Sequence, residues 1–116
     1  MKNQSLVKRV GFAINGIGEA FTHESSFRTQ ILLSFIAIGY FAWIDVTVVW
    51  WMMLAIIIAL ILAGELINSA IELLIDHLHP ELHPEIKRVK DMAAGAVLIL
   101  SVMALIFAIL ATIEFW

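Results

Sequence analysis

Three long uncharged runs dominate the pattern of hydrophobic and polar positions along the chain. They lie between Arg28 and Asp45, between Asp45 and Glu65, and between Asp91 and Glu114. Each is close to the roughly 20 residues that a helix needs to cross a hydrocarbon core, and the first, slightly short, gains length from its polar flanks. The pattern therefore predicts three transmembrane helices, at 29–44, at 46–64 with a continuation to about residue 76, and at 91–113.

The first 28 residues follow a different pattern. Val7, Val10, Ile14, Ile17 and Phe21 recur at spacings of three and four, and polar residues take the opposite side. This spacing is typical of a helix that lies along a membrane interface, and an amphipathic helix packed on the bundle fits it equally well. We therefore expect an all-α membrane protein with an N-terminal amphipathic surface helix over 1–28 and three transmembrane helices, forming a single domain over 1–116.

Composition supports a membrane protein, because 62% of the residues are hydrophobic and soluble domains carry a more even balance. The chain contains no cysteine, which excludes a disulfide framework and a thiolate metal site. Its length suits one compact domain rather than two. These properties define the class of protein without indicating its chemistry.

The basic residues predict the orientation in the membrane. Four precede the first span, and three, Lys87, Arg88 and Lys90, fall in the predicted loop at 77–90, whereas the first hairpin and the C-terminus have none. Because basic residues concentrate in cytoplasmic loops, we expect the N-terminus and the second loop to face the cytoplasm. We predict a multi-pass protein of the bacterial cytoplasmic (inner) membrane.

A stripe of polar residues follows the second hydrophobic run in "GELINSAIELLID". At 100° per residue, Glu65, Glu72 and Asp76 share one helix face, with Asn68 about 60° to one side. Glu65 stands where the hydrophobic run ends, so we expect it at the inner boundary of the membrane, where an acid is costly and indicates a functional site. The simpler alternative is that these acids begin a solvated helix outside the membrane.

Other charged residues are predicted on the same side of the membrane. Glu24 and Arg28 are four apart in "HESSFR", a spacing that also fits a surface ion pair of little energetic value. Lys90 and Asp91 in "VKDMAAGAVL" also fit a charge pair at the start of a helix. Taken together, carboxylates with a nearby lysine suit Mg²⁺ carrying a polyphosphate, because Mg²⁺ takes one or two carboxylates and fills its other positions with phosphate oxygens and water.

Two further motifs have plainer interpretations. The loop "HLHPELHPE" holds three histidines, but Pro80 and Pro84 interrupt the helix, so no zinc-ligand spacing can be read and a turn-forming linker is favoured. Gly95 with its small neighbours resembles a close helix-packing surface. No Walker, protein-kinase or dinucleotide fingerprint is present, which excludes a soluble-type nucleotide fold.

The segments "ESSFR", "WIDV", "GELINSAIELLID" and "KDMAAGAVL", in this order and spacing, resemble the small prokaryotic diacylglycerol kinase family, which includes the undecaprenol kinases. The resemblance extends from Gly11 to about Leu100. It implies a homotrimer with active sites shared between subunits, and transfer of the γ-phosphoryl of MgATP to a lipid hydroxyl at the inner-membrane surface. It implies Mg²⁺ as cofactor, ATP and a membrane lipid as partners, and no nucleic acid.

The resemblance also implies roles for individual residues. Gln30 stands where relatives carry an acid, Phe12 where they carry a hydroxyl-bearing aromatic, and Ser5 where they carry an arginine, so some contacts with nucleotide and lipid differ. The implied roles are Glu65 as catalytic base with Asn68 beside it; Glu24 and Glu72 as metal ligands; Glu24, Glu72, Glu81, His83, Lys90 and Asp91 at the nucleotide; and Ser26, Phe27, Arg28, Trp43, Ile44, Asp45, Val46 and Glu65 at the lipid.

Two other functions fit the sequence. Undecaprenol is an alternative acceptor, since "HPEIKRVKDMAAGAVL" resembles that branch of the family, whereas "WIDV" favours diacylglycerol. A non-catalytic membrane protein that assembles through its small-residue helix would use the acids only to cap and solvate helix ends. Phosphate transfer from ATP to each lipid distinguishes these functions.

Overall fold

The computed structural model describes residues 3–81 and 83–116. These residues form four α-helices and no strand: α1 (Leu6–His23), α2 (Ser25–Ile44), α3 (Val48–Leu78) and α4 (Pro84–Phe115). The last three are long and apolar enough to cross a membrane. The prediction of an all-helical chain with three such helices is confirmed, and the chain is a multi-pass membrane protein.

The boundary between the first two helices lies earlier than predicted. We expected a surface helix over 1–28, but α1 ends at His23, Glu24 adopts an extended conformation, and α2 begins at Ser25. Arg28 explains the break, since its Nη1 donates to the carbonyl oxygens of Phe21 at 2.7 Å and Thr22 at 3.0 Å. These carbonyls lie in the last turn of α1 and have no partner within that helix.

The apolar side of α1 is not covered by the rest of the chain. Only Ala20 of this helix is buried. The five residues that define its apolar spacing are all exposed: Val7, Val10, Ile14, Ile17 and Phe21. Packing of this face on the chain's own bundle is therefore absent from the described residues, and its position along a membrane surface stays a prediction.

The turn between α2 and α3 depends on Asp45. This residue has a left-handed conformation, with φ 59° and ψ 55°, and its N–H donates to the carbonyl of Ala42. Aspartate adopts this conformation more readily than most residues because its short polar side chain tolerates it. The turn reverses the chain within three residues, so α3 packs antiparallel beside α2.

The second connection is much shorter than the predicted loop at 77–90. Helix α3 continues to Leu78, and α4 begins at Pro84, seven residues before the predicted start at Asp91. Proline is well suited to the first helical position because its missing N–H would have no partner there. His83 caps the helix, since its Nδ1 accepts from the backbone N–H of Glu85 at 3.2 Å. The proline that we interpreted as interrupting a helix instead begins one.

An aromatic core joins the three long helices near the α2–α3 turn. Phe41 is fully buried, and its ring centroid lies 5.5 Å from that of Phe107 on α4. Trp50 of α3 stacks on Phe107 at 5.0 Å. Ala111 is also fully buried beside them. This packing fixes α2, α3 and α4 relative to one another at the end of the bundle remote from the acidic stripe.

The close approach of α3 and α4 occurs at Gly64 rather than at Gly95. A Cβ added to Gly64 would lie 3.0 Å from Cδ1 of Leu100, whereas one added to Gly95 would meet nothing within 4 Å. The expectation of a packing surface at Gly95 is therefore not met within the chain. Gly64 precedes Glu65, so the contact also fixes the height of Glu65 relative to α4.

Candidate active site

Glu65 is the one buried carboxylate in the described part of the chain, with 5% of its surface exposed. It lies on α3, and its two oxygens face the start of α2. Ser26 Oγ donates to Oε2 at 3.2 Å, and Gln30 Nε2 donates to Oε1 at 3.5 Å. A carboxylate has capacity for further hydrogen bonds, so two contacts leave it able to accept another donor.

The position of Glu65 along α3 indicates its depth in the bilayer. At about 1.5 Å per residue, α3 rises about 27 Å between its N-cap Thr47 and Glu65. This length is close to the ~30 Å thickness of a hydrocarbon core. If the α2–α3 turn lies at one surface, Glu65 lies at the other. The remaining turns of α3 then extend beyond the hydrocarbon.

Asn68 and Glu72 follow Glu65 on the same side of α3. The Oδ1 atom of Asn68 is buried and has no hydrogen-bond partner in the described residues. Buried polar atoms are usually paired, so an unpaired amide oxygen is a site for a donor or a cation. Glu72 is half-buried, one turn beyond Asn68, and forms no ion pair with a described residue. About 10 Å of helix separates Glu65 from Glu72.

Glu24 occupies the junction between α1 and α2 and is half-buried. It does not form the predicted surface ion pair with Arg28, because that guanidinium donates to the end of α1 instead. Within the described ranges, no three acidic or histidine side chains come together as a metal site. Glu24, Glu72 and the Asn68 oxygen are hard oxygen ligands of the type that Mg²⁺ prefers. The residue types fit that ion.

The first turns of α4 lie beside the last turns of α3. Lys90 Nζ contacts Asp76 Oδ1 at 2.5 Å, and Lys87 Nζ contacts Asp91 Oδ2 at 2.6 Å. Lys90 is about two-thirds covered, whereas its carboxylate partner is largely exposed. Both residues predicted to contact the nucleotide, Lys90 and Asp91, therefore have partners within the chain.

The two predicted loop residues beside the nucleotide have local contacts. Glu81 lies 3.7 Å from His79 in an exposed pair, and His83 caps α4. Neither contact places Glu81 or His83 beside Glu65. Their roles at a nucleotide stay predictions.

The segment "WIDV" lies at the opposite end of the bundle from Glu65. Ser26 contacts Glu65, and about 25 Å of α2 separates Ser26 from Trp43. Ile44 and Val46 are buried in the aromatic core, and Asp45 forms the turn. Within one chain, this segment and Glu65 are therefore too far apart to contact the same chemical group of a ligand. Phe27 is buried near Ser26, at the end of the bundle that carries Glu65.

An apolar groove that the sequence did not predict runs between α2, α3 and α4. Its volume is about 510 Å³, and it extends from Gln30 and Ser34 at one end to Tyr40 and Phe107 at the other. Gln30 touches both the groove and Glu65. The sequence marked Gln30 only as standing where relatives carry an acid, on the same helix face as Ser26 four residues earlier.

The described residues thus form a membrane protein with three helices long enough to span a bilayer, a buried carboxylate on α3, and an apolar groove whose lining includes Gln30, which contacts that carboxylate. The family model described as prokaryotic diacylglycerol kinase matches residues 11–112. The chain belongs to this family of small prokaryotic lipid kinases, and the resemblance drawn from the sequence is confirmed. A comparison with curated proteins finds no match. Membership supports an enzyme that transfers phosphate.

Proposed function

We propose that the chain transfers the γ-phosphoryl of ATP to the hydroxyl of diacylglycerol, giving phosphatidic acid, at the cytoplasmic face of the membrane. The observation that supports this most directly is Glu65, a buried carboxylate that contacts Gln30, one of the residues lining the apolar groove. Diacylglycerol has two apolar chains and one free hydroxyl. Its chains suit the groove, and its hydroxyl then lies near the carboxylate.

Glu65 serves as the general base in this proposal. As the lipid oxygen attacks the γ-phosphorus, the O–H bond breaks and a carboxylate oxygen of Glu65 accepts the proton. The bond from phosphorus to the β,γ-bridging oxygen breaks in the same in-line displacement, and ADP leaves. Little covalent chemistry is required of the protein, so positioning and charge stabilisation supply most of the rate.

Glu24, Glu72 and Asn68 would hold Mg²⁺ at this site. When bound, the ion neutralises charge on the β- and γ-phosphates. Half-buried carboxylates without an ion pair would otherwise repel a polyphosphate, so their function depends on a cation. Asn68 contributes an oxygen that has no other partner among the residues that the structure describes.

Lys90 binds phosphate by exchanging partners. In the structure its ammonium contacts Asp76, and the pair is open to solvent on the Asp76 side. Because Asp76 is largely exposed, the pair contributes little energy, so a phosphate can take the lysine at small cost. Asp91, Glu81 and His83 are proposed around the rest of the nucleotide.

The lipid-contacting residues are proposed in two groups. Ser26, Phe27 and Arg28 lie in the first turn of α2, where Ser26 contacts Glu65, so they suit the part of the lipid that carries the hydroxyl. Trp43 to Val46 lie at the far end of the bundle, so within one chain they suit the ends of the acyl chains rather than the headgroup. The proposed homotrimer with shared sites would place a neighbouring chain's helices beside these two groups of residues. Sedimentation equilibrium in detergent tests this assembly and should give the mass of three chains.

We also propose the orientation that the basic residues predict. The first two turns of α4 carry three basic residues, Lys87, Arg88 and Lys90. They lie beyond the end of the bundle that carries Glu65 and Glu72. A cytoplasmic location for these residues places Glu65 and Glu72 on the side where ATP is available. In this orientation α1 lies along the inner surface of the bacterial cytoplasmic membrane, with its exposed apolar face in the lipid.

Undecaprenol is the second candidate acceptor. The stretch from His83 to Leu98 resembles the undecaprenol kinases, and an apolar groove does not by itself select between two lipid alcohols. The product would be undecaprenyl phosphate. The catalytic roles of Glu65 and Glu72 would be unchanged.

One assay separates the candidate functions. Purified protein in detergent micelles is given ATP labelled in the γ-phosphate, Mg²⁺ and either a short-chain diacylglycerol or undecaprenol. We expect label in phosphatidic acid at the higher rate. Preferential labelling of undecaprenol would reassign the acceptor. No product with either lipid, from a folded preparation, would favour the non-catalytic assembly protein.

A further inference from the structure

Two polar side chains of α2 reach the same carboxylate on α3. Ser26 Oγ lies 3.2 Å from Oε2 of Glu65, and Gln30 Nε2 lies 3.5 Å from Oε1. Residues four apart lie one above the other on a helix, so both side chains project from one face of α2. One rigid helix therefore contacts both oxygens of Glu65.

The contacts are chemically suited to an ionised acid. A hydroxyl and an amide N–H₂ both donate, and a carboxylate only accepts, with about four lone-pair positions on its two oxygens. Two positions are used by α2, which leaves room for an incoming hydroxyl. At 3.5 Å the Gln30 contact is long for a hydrogen bond and weaker than the Ser26 contact at 3.2 Å, and together the two donors favour one orientation of the carboxylate.

We propose that Ser26 and Gln30 are positioning residues that clamp the Glu65 carboxylate in the orientation from which it accepts the lipid proton. This inference deepens the proposed function and rests on it. A general base acts only within hydrogen-bond reach of the proton that it removes, and a displacement of about 1 Å is costly. Released from the clamp, Glu65 would sample other rotamers and hold that geometry for a smaller fraction of the time.

The chain supplies a matched control within the same turn of α2. Thr29 lies between Ser26 and Gln30 in sequence, but its hydroxyl donates to the backbone carbonyl of Ser25 at 3.0 Å and does not contact Glu65. Thr29→Val removes a hydroxyl from the same helix with little change of shape. Ser26→Thr keeps a hydroxyl at the clamp position.

Steady-state kinetics with saturating and varied ATP test the clamp. We expect Ser26→Ala to lower kcat about tenfold, the loss expected for one hydrogen bond to a charged group, and Gln30→Leu to lower it less, because its contact with Glu65 is longer. The KM for ATP should stay within about twofold in both, because the clamp does not touch the nucleotide. Thr29→Val should retain near-normal kcat, and Ser26→Thr, which keeps the hydroxyl, should recover most of the loss seen in Ser26→Ala. An unchanged kcat in both clamp variants, or a loss shared equally by Thr29→Val, would overturn the inference.

A thermodynamic cycle with Glu65→Leu, which has no acceptor for the Ser26 hydroxyl, separates the clamp from the proposed reaction. If Ser26 contacts Glu65, the fall in Tm caused by Ser26→Ala in the normal chain should be much smaller in the Glu65→Leu chain, whereas Thr29→Val should have the same effect in both. Additive Tm changes for Ser26 and Glu65 overturn the clamp whatever the chain's activity. Coupled Tm changes in a chain that phosphorylates no lipid would instead leave the contact standing and reject the proposed function.

Discussion

The two ends of the helical bundle differ in the side chains between their helices: aromatic rings pack closely at one end, and polar groups lie at the other. At one end, the aromatic end, Phe41, Trp50 and Phe107 fill the space between α2, α3 and α4. At the other, the acidic end, Glu65, Asn68 and Glu72 lie along α3, with polar atoms that retain unused capacity for hydrogen bonds or a cation.

The comparison shows that the aromatic end stabilises the fold and that the acidic end carries the groups suited to a reaction. Inside a bilayer the hydrophobic effect does not drive helices together, so close packing and a few hydrogen bonds must hold them. The aromatic end supplies that packing. At the acidic end, a buried carboxylate and an Asn68 oxygen without a partner in the described structure are costly to the fold, and we attribute their presence to the proposed reaction.

The largest expected effect comes from removing the base at the acidic end. Glu65→Gln keeps the size of the side chain and its contact with Ser26, but an amide does not accept the lipid proton. We expect the initial rate of labelled phosphate transfer to fall by at least about 100-fold. Glu114→Gln, an exposed acid near the aromatic end, is the matched control and should transfer at the normal rate. Substantial turnover by Glu65→Gln would remove it from the base role.

The next effect belongs to the aromatic end. Phe41→Ala leaves a cavity where a fully buried ring packs on Phe107, and we expect the free energy of unfolding in detergent to fall by about 2 kcal/mol or more. The control is Phe35→Ala on the same helix, because Phe35 is 68% exposed and packs against lipid or detergent. Equal losses in the two variants would show that Phe41 packing does not hold the helices.

Glu72→Gln should weaken the metal and the nucleotide together. Loss of one of the few carboxylate ligands is expected to raise the Mg²⁺ concentration for half-maximal rate about tenfold. The measurement is initial rate against free Mg²⁺ at fixed ATP. An unchanged Mg²⁺ requirement would make Glu72 a structural residue.

The smallest effect concerns a hydrogen bond between α2 and α4. Tyr40 and Thr112 share a hydroxyl–hydroxyl contact of 2.5 Å near the aromatic end. Hydrogen bonds between membrane helices contribute about 0.6 kcal/mol on average, so Tyr40→Phe should lower the unfolding free energy by about that amount. The Thr112 hydroxyl also donates to the carbonyl of Ala108 at 2.8 Å, so Thr112→Val should cost at least as much, and the double variant no more than Thr112→Val alone. Fully additive losses would argue that the two hydroxyls do not act as a pair.

The sequence predicted the membrane helices and the acidic face because both depend on local properties. A run of apolar residues specifies a span, and the spacing of Glu65 and Glu72 specifies a shared helix side. The break at Glu24 was missed because it depends on Arg28 reaching back to α1. The early start of α4 was missed because Pro84 begins a helix at its first position.

The contacts between helices could not be predicted from the sequence. Gln30 lies 35 positions from Glu65 in the chain, and nothing local indicates that α2 and α3 bring them together. The apolar groove likewise exists only after three helices pack, and the distance of Trp43 from Glu65 follows from the antiparallel hairpin. Family resemblance named the residues of the candidate site, whereas their relative placement required the fold.

Binding of MgATP to Glu65→Gln, measured by isothermal titration calorimetry in detergent, tests the central claim most directly. If Glu65 is the base that meets the lipid hydroxyl, the variant should bind MgATP with a Kd within about twofold of the normal chain while its turnover is lost. Loss of MgATP binding in the folded variant would contradict the account, because Glu65 would then belong to the nucleotide site.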